Sequence, residues 1–233
     1  MLKRLFIILT VLIVAFTKAV AQSTEHGIWS EIGLTKQFGK LDVSLSGEIR
    51  NSDFLSRVTR YGIGLDVSYN IFKPVNIGLS YNYYNFYDSE FNDYQPRQRY
   101  NLFIQGEQKF GRFSVSLRER FQRTIKDERG RVTETGLIDN YKVNPEYAWR
   151  NRLKLKYNIP NFPVTPAFSV ESFYQLNNPD GNKFVQVRYI LSLNYKFSKS
   201  QRIEIYGLFD QEIHVDNPVN RSVLGVGYYI SFK

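Results

Sequence analysis

Apolar and polar residues alternate at successive positions along much of the chain. From Leu41 to Arg50 every apolar or glycine residue is followed by a polar or charged one. Residues 61–69 and 185–195 keep the same two-residue period, with Ile190 out of place. This spacing sends successive side chains to opposite faces of a β-strand, and helical spacing is nowhere sustained. The pattern therefore predicts an all-β protein.

Eleven segments carry the alternation. They lie near residues 28–38, 41–50, 59–70, 75–86, 98–110, 113–123, 147–158, 166–176, 184–197, 202–213 and 222–232. These lengths suit tilted membrane-spanning strands, which need about 9 to 11 residues, better than soluble strands, which most often have about 5 or 6. Eleven is an odd count, whereas bacterial single-chain barrels normally have an even number of strands, so the count suggests one strand missed or one too many. We therefore expect 10 to 12 strands, with segments 23–38 and 124–146 as those that could change the count.

Aromatic residues mark both ends of the predicted strands. One end carries Phe38, Tyr69, Phe110, Phe113, Tyr157, Tyr195, Phe197 and Phe232, and the other carries Tyr61, Tyr83, Tyr100, Phe121, Tyr147, Trp149 and Tyr174. Two aromatic belts are typical of the two interfaces of a membrane. The alternative is a tyrosine-rich soluble β-protein. We predict an antiparallel, transmembrane, outer-membrane β-barrel whose apolar face contacts lipid.

The first 21 residues have the features of an export signal. Lys3 and Arg4 precede an apolar run from Leu5 to Phe16, and Ala19-Val20-Ala21 fits a cleavage site. The run is shorter than the roughly 20 residues that a membrane-spanning helix needs. We predict a cleaved signal peptide at residues 1–21 and one outer-membrane barrel domain at residues 22–233.

Composition narrows the classes of function. The net charge of +9 becomes +6 without the three basic residues of the predicted signal. The basic residues are spread over alternating strands, so we expect no nucleic-acid partner. The chain has no cysteine, which excludes disulfides, thiol catalysis and cysteine-based zinc sites. No motif for a cofactor, a metal or a catalytic site is present, and we predict none.

Six basic residues share the predicted inward face of two neighbouring strands. They are Arg118 and Arg120 on one strand and Arg150, Arg152, Lys154 and Lys156 on the next. Such a basic wall would favour anions inside the barrel. The alternative is a ladder of salt bridges that fills a narrow lumen, because barrels near this size leave little free space.

Enzymatic activity is a second class to weigh. The chain has two histidines, His26 and His214. A lipid hydrolase needs a base within reach of a nucleophile, and His214 with Ser222 is the only pair that the sequence offers. The acidic loop residues Asp88, Glu90 and Asp93 could hold calcium or cations that bridge lipopolysaccharide, but we expect them to be solvated loop charges. We expect the protein not to be an enzyme.

The first three strands resemble a large family of short outer-membrane barrels known only as a domain of unknown function. The resemblance rests on Trp29-Ser30-Glu31-Ile32-Gly33-Leu34, on Glu48 and Arg50, and on Arg57, Arg60 and Tyr61. It implies an outer-membrane barrel fold without assigned catalytic or substrate-binding residues. By parity Glu31, Glu48, Arg50 and Arg60 all face the lumen, where they would form one charge network that must be nearly fully paired.

The sequence thus leads us to expect an integral outer-membrane barrel that is either structural or a narrow, anion-preferring pore. A surface binding barrel that uses loop 124–146 and a lipid-modifying enzyme are the alternatives. The outward residues of the last strand, Tyr228, Ile230 and Phe232, form the expected membrane-insertion signal for the barrel-assembly machinery. The other expected partners are outer-membrane lipid and lipopolysaccharide, and we expect a monomer.

Overall fold

The computed structural model of the protein describes residues 24–232, and the predicted signal peptide lies outside the described residues. Within this range eleven strands form a closed barrel. The strands are β1 Thr24–Phe38, β2 Leu41–Ser52, β3 Arg57–Phe72, β4 Val75–Asp88, β5 Asp93–Phe110, β6 Phe113–Lys126, β7 Glu146–Tyr157, β8 Val164–Gln175, β9 Lys183–Lys196, β10 Gln201–Glu212 and β11 Asn220–Phe232. A short 3-10 turn, Asp53–Leu55, separates β2 from β3. The predicted all-β barrel of 10 to 12 strands is confirmed.

The strands are slightly longer than the alternation alone indicated. β4 continues to Asp88 and β5 begins at Asp93, so only a short turn remains where the sequence predicted a longer loop. The predicted loop 124–146 shortens to 127–145. Inside this loop Val132 and Ile138 form one isolated bridge. The loop therefore adds no further strand to the barrel.

The barrel closes through a parallel pair. Ten neighbouring pairs are antiparallel, but β1 runs parallel to β11, in register from Thr24 opposite Asn220 to Lys36 opposite Phe232. The expectation that an odd count meant a missed or superfluous strand was wrong. An odd number of strands closes without a free edge if one pair is parallel, because parallel ladders also pair the backbone groups of both strands.

The connections define two ends of the barrel. The loop end carries the start of β1 and connections 53–56, 89–92, 127–145, 176–182 and 213–219. The turn end carries connections 39–40, 73–74, 111–112, 158–163 and 197–200. No helix within residues 24–232 is long and apolar enough to cross a membrane.

The outside of the barrel is apolar and the inside is polar. Outward residues such as Ile32, Leu102 and Leu153 are about half exposed, and aromatic residues of both predicted belts lie on this surface. Inward residues such as Asn101 and Asp210 are buried. This arrangement is the reverse of a soluble barrel, in which the apolar face would lie inside.

Two tyrosines lie flat on glycines beside the parallel seam. The Tyr206 ring covers Gly225 of β11, where an added Cβ would lie 1.9 Å from the ring Cζ atom. The Tyr229 ring covers Gly33 of β1, where an added Cβ would lie 2.7 Å from Cδ1. Glycine therefore lets large rings lie against the inner wall next to β1 and β11.

We expect Gly225→Ala to lower the free energy of unfolding by about 1–3 kcal/mol, because the new methyl group would displace the Tyr206 ring from its place on β11. Gly106→Ala is the matched control, since nothing lies within 4 Å of a Cβ built there. Urea unfolding of both refolded variants in detergent measures the difference. Equal unfolding midpoints would show that the ring contact does not stabilise the seam.

Candidate functional site

The lumen contains two cavities. The larger has a volume of about 860 Å³ and extends toward the loop end, where Glu25, Lys126 and Arg221 line it. The smaller has a volume of about 400 Å³ and lies at the turn end beside Lys199. Tyr229 contributes to the walls of both cavities. The seam tyrosine therefore stands where the two spaces approach each other.

Both cavities carry an excess of positive charge. Among the described residues, eleven arginines and lysines line the larger cavity, against seven aspartates and glutamates. The smaller cavity is lined by five cationic side chains and, within residues 24–232, by no carboxylate: Lys154, Lys156, Lys196, Lys199 and Arg202. Acidic residues lie close behind three of them. Lys156 Nζ is 2.7 Å from Glu107, and Glu204 lies 3.8 Å from Lys154 Nζ and 3.9 Å from Arg202 Nη1. The cationic excess extends from one end of the lumen to the other.

Three of the four residues in the predicted charge network are in direct contact. Arg50 and Arg60 lie opposite each other on β2 and β3, and both pair with Glu48. Glu31 lies opposite Glu48 on β1 and beside the Tyr229 hydroxyl. In the described part of the chain, Glu31 forms no salt bridge with the two arginines. A single carboxylate is therefore the bonded counter-charge of both arginines.

Four of the predicted anion-path residues form an arginine block on β6 and β7: Arg118, Arg120, Arg150 and Arg152. Arg118 lies directly opposite Arg152, and Arg120 lies directly opposite Arg150. Like charges in such cross-strand positions repel each other unless a counter-charge is present.

One buried carboxylate, that of Glu171, forms salt bridges with arginines of this block. Glu171 Oε1 on β8 accepts a hydrogen bond from Arg118 at 3.1 Å and forms a salt bridge with Arg150 at 3.0 Å. Arg120 and Arg152 form neither a salt bridge nor a hydrogen bond through their guanidinium groups within residues 24–232. Two of the four arginines therefore belong to a salt-bridge network, and the other two have no directly bonded counter-charge within residues 24–232.

Sequence reasoning missed the aromatic side chains inside the lumen. Arg50 stacks on Trp29 with 3.5 Å between the guanidinium carbon and the ring centre, and Arg150 stacks on Phe173 at 4.4 Å. Arg60 lies 4.0 Å from the centre of the Tyr84 ring. Parity could have found these rings, since Trp29 and Phe173 each share a strand face with an inward glutamate.

Arg131 holds loop 127–145 against the neighbouring hairpin. It is buried, pairs with Asp88 and Asp139, and lies between the rings of Phe91 at 4.6 Å and Tyr141 at 4.2 Å. Burial acts to lower the pKa of Arg131, but the hydrogen bond to Asp139 and the charge of Asp88 help to outweigh it and raise that pKa. The loop is therefore pinned by a permanently charged side chain.

Two weaker contacts complete the electrostatics of the loop. The hydrogen bonds that Arg129 donates lower the pKa of Asp127 to about 2. Lys142 bonds to Asp180 in connection 176–182 at 2.7 Å, and this hydrogen bond lowers the pKa of Asp180. Both carboxylates therefore stay ionised down to acidic pH, although these exposed pairs add little stability.

The remaining sequence candidates lie apart from the lumenal arginines. His214 Nδ1 lies 3.0 Å from the Phe184 carbonyl oxygen, in connection 213–219, whereas the strand partner of Ser222 is His26. Asp88 and Glu90 pair with Arg131, at 3.8 Å for Glu90. Within residues 24–232 no group of three or more histidines, aspartates and glutamates could hold a metal ion.

We expect Glu171→Gln to lower the free energy of unfolding by about 3–5 kcal/mol, because Arg118 and Arg150 would lose the carboxylate that they share. The exposed loop residue Glu134 provides a control, and Glu134→Gln should leave the free energy unchanged. Urea unfolding of the refolded barrels tests this. An unfolding midpoint for Glu171→Gln equal to that of the control would contradict the assignment of Glu171 as the counter-charge.

We expect Arg131→Ala to increase the rate of chymotrypsin cleavage at Leu137 and Tyr141 several-fold, because the loop would lose its central contact and open more often. Arg129→Ala is the control, since that side chain is 88% exposed and pairs only with Asp127 in the described residues. Mass spectrometry of timed digests identifies the sites. If both variants are cut at the wild-type rate, Arg131 does not hold the loop.

Comparison with known proteins gives several similar barrels and one family. No curated protein matches the chain. A NanC porin structure is similar with a TM-score of 0.47 and 12% identity, covering 81% of this chain and 86% of that one. A KdgM porin gives 0.39 and 15%, covering 77% and 81%. The β domain of the Bordetella autotransporter Brka gives 0.40 and 12%, covering 80% and 82%.

The family match covers nearly all of the barrel. Residues 26–223, from near the start of β1 to near the start of β11, match the family described as "Protein of unknown function (DUF2490)". The match includes the lumenal arginine block and the Glu48 cluster. The protein therefore belongs to the DUF2490 family.

Proposed function

We propose that the protein is an outer-membrane barrel that acts as a narrow, anion-preferring pore. The observation that carries the proposal is the cationic excess of both cavities along the lumen. Fixed charges of one sign between low-dielectric walls concentrate ions of the opposite sign and repel those of the same sign. Rings of arginine or lysine favour anions for this reason.

The apolar outer surface of the barrel supports the proposed location in the outer membrane. Apolar side chains cover the outside of the strands, and the outward residues of β11, Tyr228, Ile230 and Phe232, form part of that surface. We propose that these three residues direct insertion by the barrel-assembly machinery, and that outer-membrane lipid and lipopolysaccharide surround the barrel. One chain closes the hydrogen-bond ladder by itself, which favours a monomer.

The charge at the turn end is the most accessible part of the path. Lys196 and Lys199 are exposed, and neither forms a salt bridge within residues 24–232. They would attract anions at the mouth of the smaller cavity. The arginine block in the larger cavity would then hold a stronger positive field along the same path. Narrowness follows from the large inward side chains, with Tyr229 between the two cavities.

We expect the refolded barrel in a planar bilayer to show stable current steps, with a reversal potential under a potassium chloride gradient that indicates preference for chloride. Lys196→Gln combined with Lys199→Gln should move this potential toward that of an unselective pore. Lys142→Gln, in loop 127–145, is the control and should leave it unchanged.

Two outcomes of the bilayer experiment would overturn the proposed anion-preferring pore. A folded barrel that gives no current would leave a structural role or surface binding through loop 127–145. A reversal potential that indicates preference for potassium would show that the excess arginines and lysines do not determine selectivity.

A further inference from the structure

We propose that the arginine block is a binding site for a small organic molecule that carries two negative charges on oxyanion groups, either a phosphate ester or a dicarboxylate. The inference deepens the proposed function, because it assigns a ligand class to the lumen. It requires a specific site rather than a general preference for anions.

The first argument is the charge balance of the block. Four guanidinium groups share one bonded carboxylate, Glu171, and the two groups without a bonded partner lie diagonally across the two strands: Arg120 on β6 and Arg152 on β7. Asp66 lies close enough to act on the charge of Arg120, but its side chain is bonded to Ser80. A ligand with two negative charges would supply the charge that the block lacks.

The second argument is a set of unused donors. The Nε–H groups of Arg118, Arg120, Arg150 and Arg188 are buried, and none has a hydrogen-bond acceptor within residues 24–232. All four residues line the larger cavity. Arg150 is only 7% exposed. Charged donors in such surroundings require acceptors, and carboxylate or phosphate oxygens match the fork of a guanidinium group.

The third argument is that aromatic rings lie against three of these four guanidinium groups. Phe173 lies between Arg150 at 4.4 Å and Arg188 at 5.0 Å, and Arg188 also lies 5.7 Å from the Trp29 ring. Arg120 lies 5.8 Å from the Phe103 ring. Stacking occupies the faces of the guanidinium groups and leaves their edges, which carry the N–H donors, for a ligand. Groups ordered before binding lose less conformational entropy when the ligand binds.

The dimensions of the space fit a small metabolite. The larger cavity, at about 860 Å³, falls within the range of sites that enclose small organic ligands. Neutral hydrogen-bonding side chains are also present, since Gln122 Oε1 accepts from Arg150 at 2.8 Å and Asn101 Oδ1 is buried without a donor within residues 24–232. An organic anion with hydroxyl or ester groups could use these neighbours in addition to the arginines.

Titration calorimetry of the refolded full barrel in detergent tests the proposal with defined probes. Glucose 6-phosphate represents phosphate esters, with glucose as its neutral counterpart, and succinate represents dicarboxylates, with butyrate as its singly charged counterpart. We expect at least one dianion to bind about ten-fold or more tightly than its counterpart. The dianion that binds identifies the oxyanion. If neither dianion binds more tightly than its counterpart, the site does not exist.

Variants locate the binding on the block. Arg120→Gln removes one uncompensated charge without breaking a salt bridge, and it should weaken dianion binding about ten-fold or more. Arg123→Gln is the matched control on the same strand, because Arg123 is exposed on the outer face, and it should change affinity less than about two-fold. Equal affinity of both variants would overturn the proposal.

Fluorescence provides a test that does not depend on the folding of the Arg120 variant. The chain has two tryptophans, Trp29 in the larger cavity and Trp149 on the outer face. In Trp149→Phe, the emission of Trp29 should change on addition of the bound dianion and should remain unchanged with glucose. An unchanged emission would place the binding outside the cavity and contradict the site.

Failure of this site and failure of the pore give different results. Binding is measured in detergent without reference to current. A barrel that binds the dianion but never conducts would overturn the pore and leave the site standing. A barrel that conducts anions but binds neither dianion would overturn the site alone.

Discussion

The structure depends on closure of the backbone hydrogen-bond ladder at the seam between β1 and β11. A strand that faces lipid cannot use water to satisfy its N–H and C=O groups, so an open edge would be very costly there. Eleven strands bring β1 and β11 together in the same direction, and the ladder closes as a parallel pair over thirteen residue positions. Beside this seam, Gly225 and Gly33 leave room for the rings of Tyr206 and Tyr229 against the inner wall.

Closure of the barrel confines the inward charged side chains to a narrow lumen, where each affects its neighbours. Once the apolar face is outside, the charged positions of the strands must share the lumen. Glu48 and Glu171 each form salt bridges with two arginines, so few carboxylates occupy the narrow lumen. Aromatic rings stabilise the same guanidinium groups without adding negative charge. The barrel can therefore keep a cationic excess that a lumen filled with salt bridges would have cancelled.

Alternation was sufficient to predict the strands and the side of the barrel on which most side chains lie. Arg150 and Arg152 line the lumen and Leu153 lies outside, as their parity indicated. The direction of the β1–β11 pair was not predictable, because alternation is the same in parallel and antiparallel strands. The position of Arg131 was not predictable either. It depends on contacts between separate parts of the chain, with Asp88 at the end of β4, Phe91 in connection 89–92 and Asp139 in loop 127–145.

Lysines and arginines are concentrated in different parts of the lumen, and the two side chains interact with anions differently. Lysines dominate the smaller cavity, where flexible and strongly hydrated ammonium groups can attract an anion without binding it in one geometry. Arginines dominate the larger cavity, where stacking on Trp29 and Phe173 fixes planar groups whose donors diverge in defined directions. Attraction at one end and oriented binding at the other are complementary requirements for selecting an anion. For the pore that we propose, conduction would require that binding at the arginine block be weak enough for release, and the balance between the four arginines and Glu171 would set how strongly an anion is held.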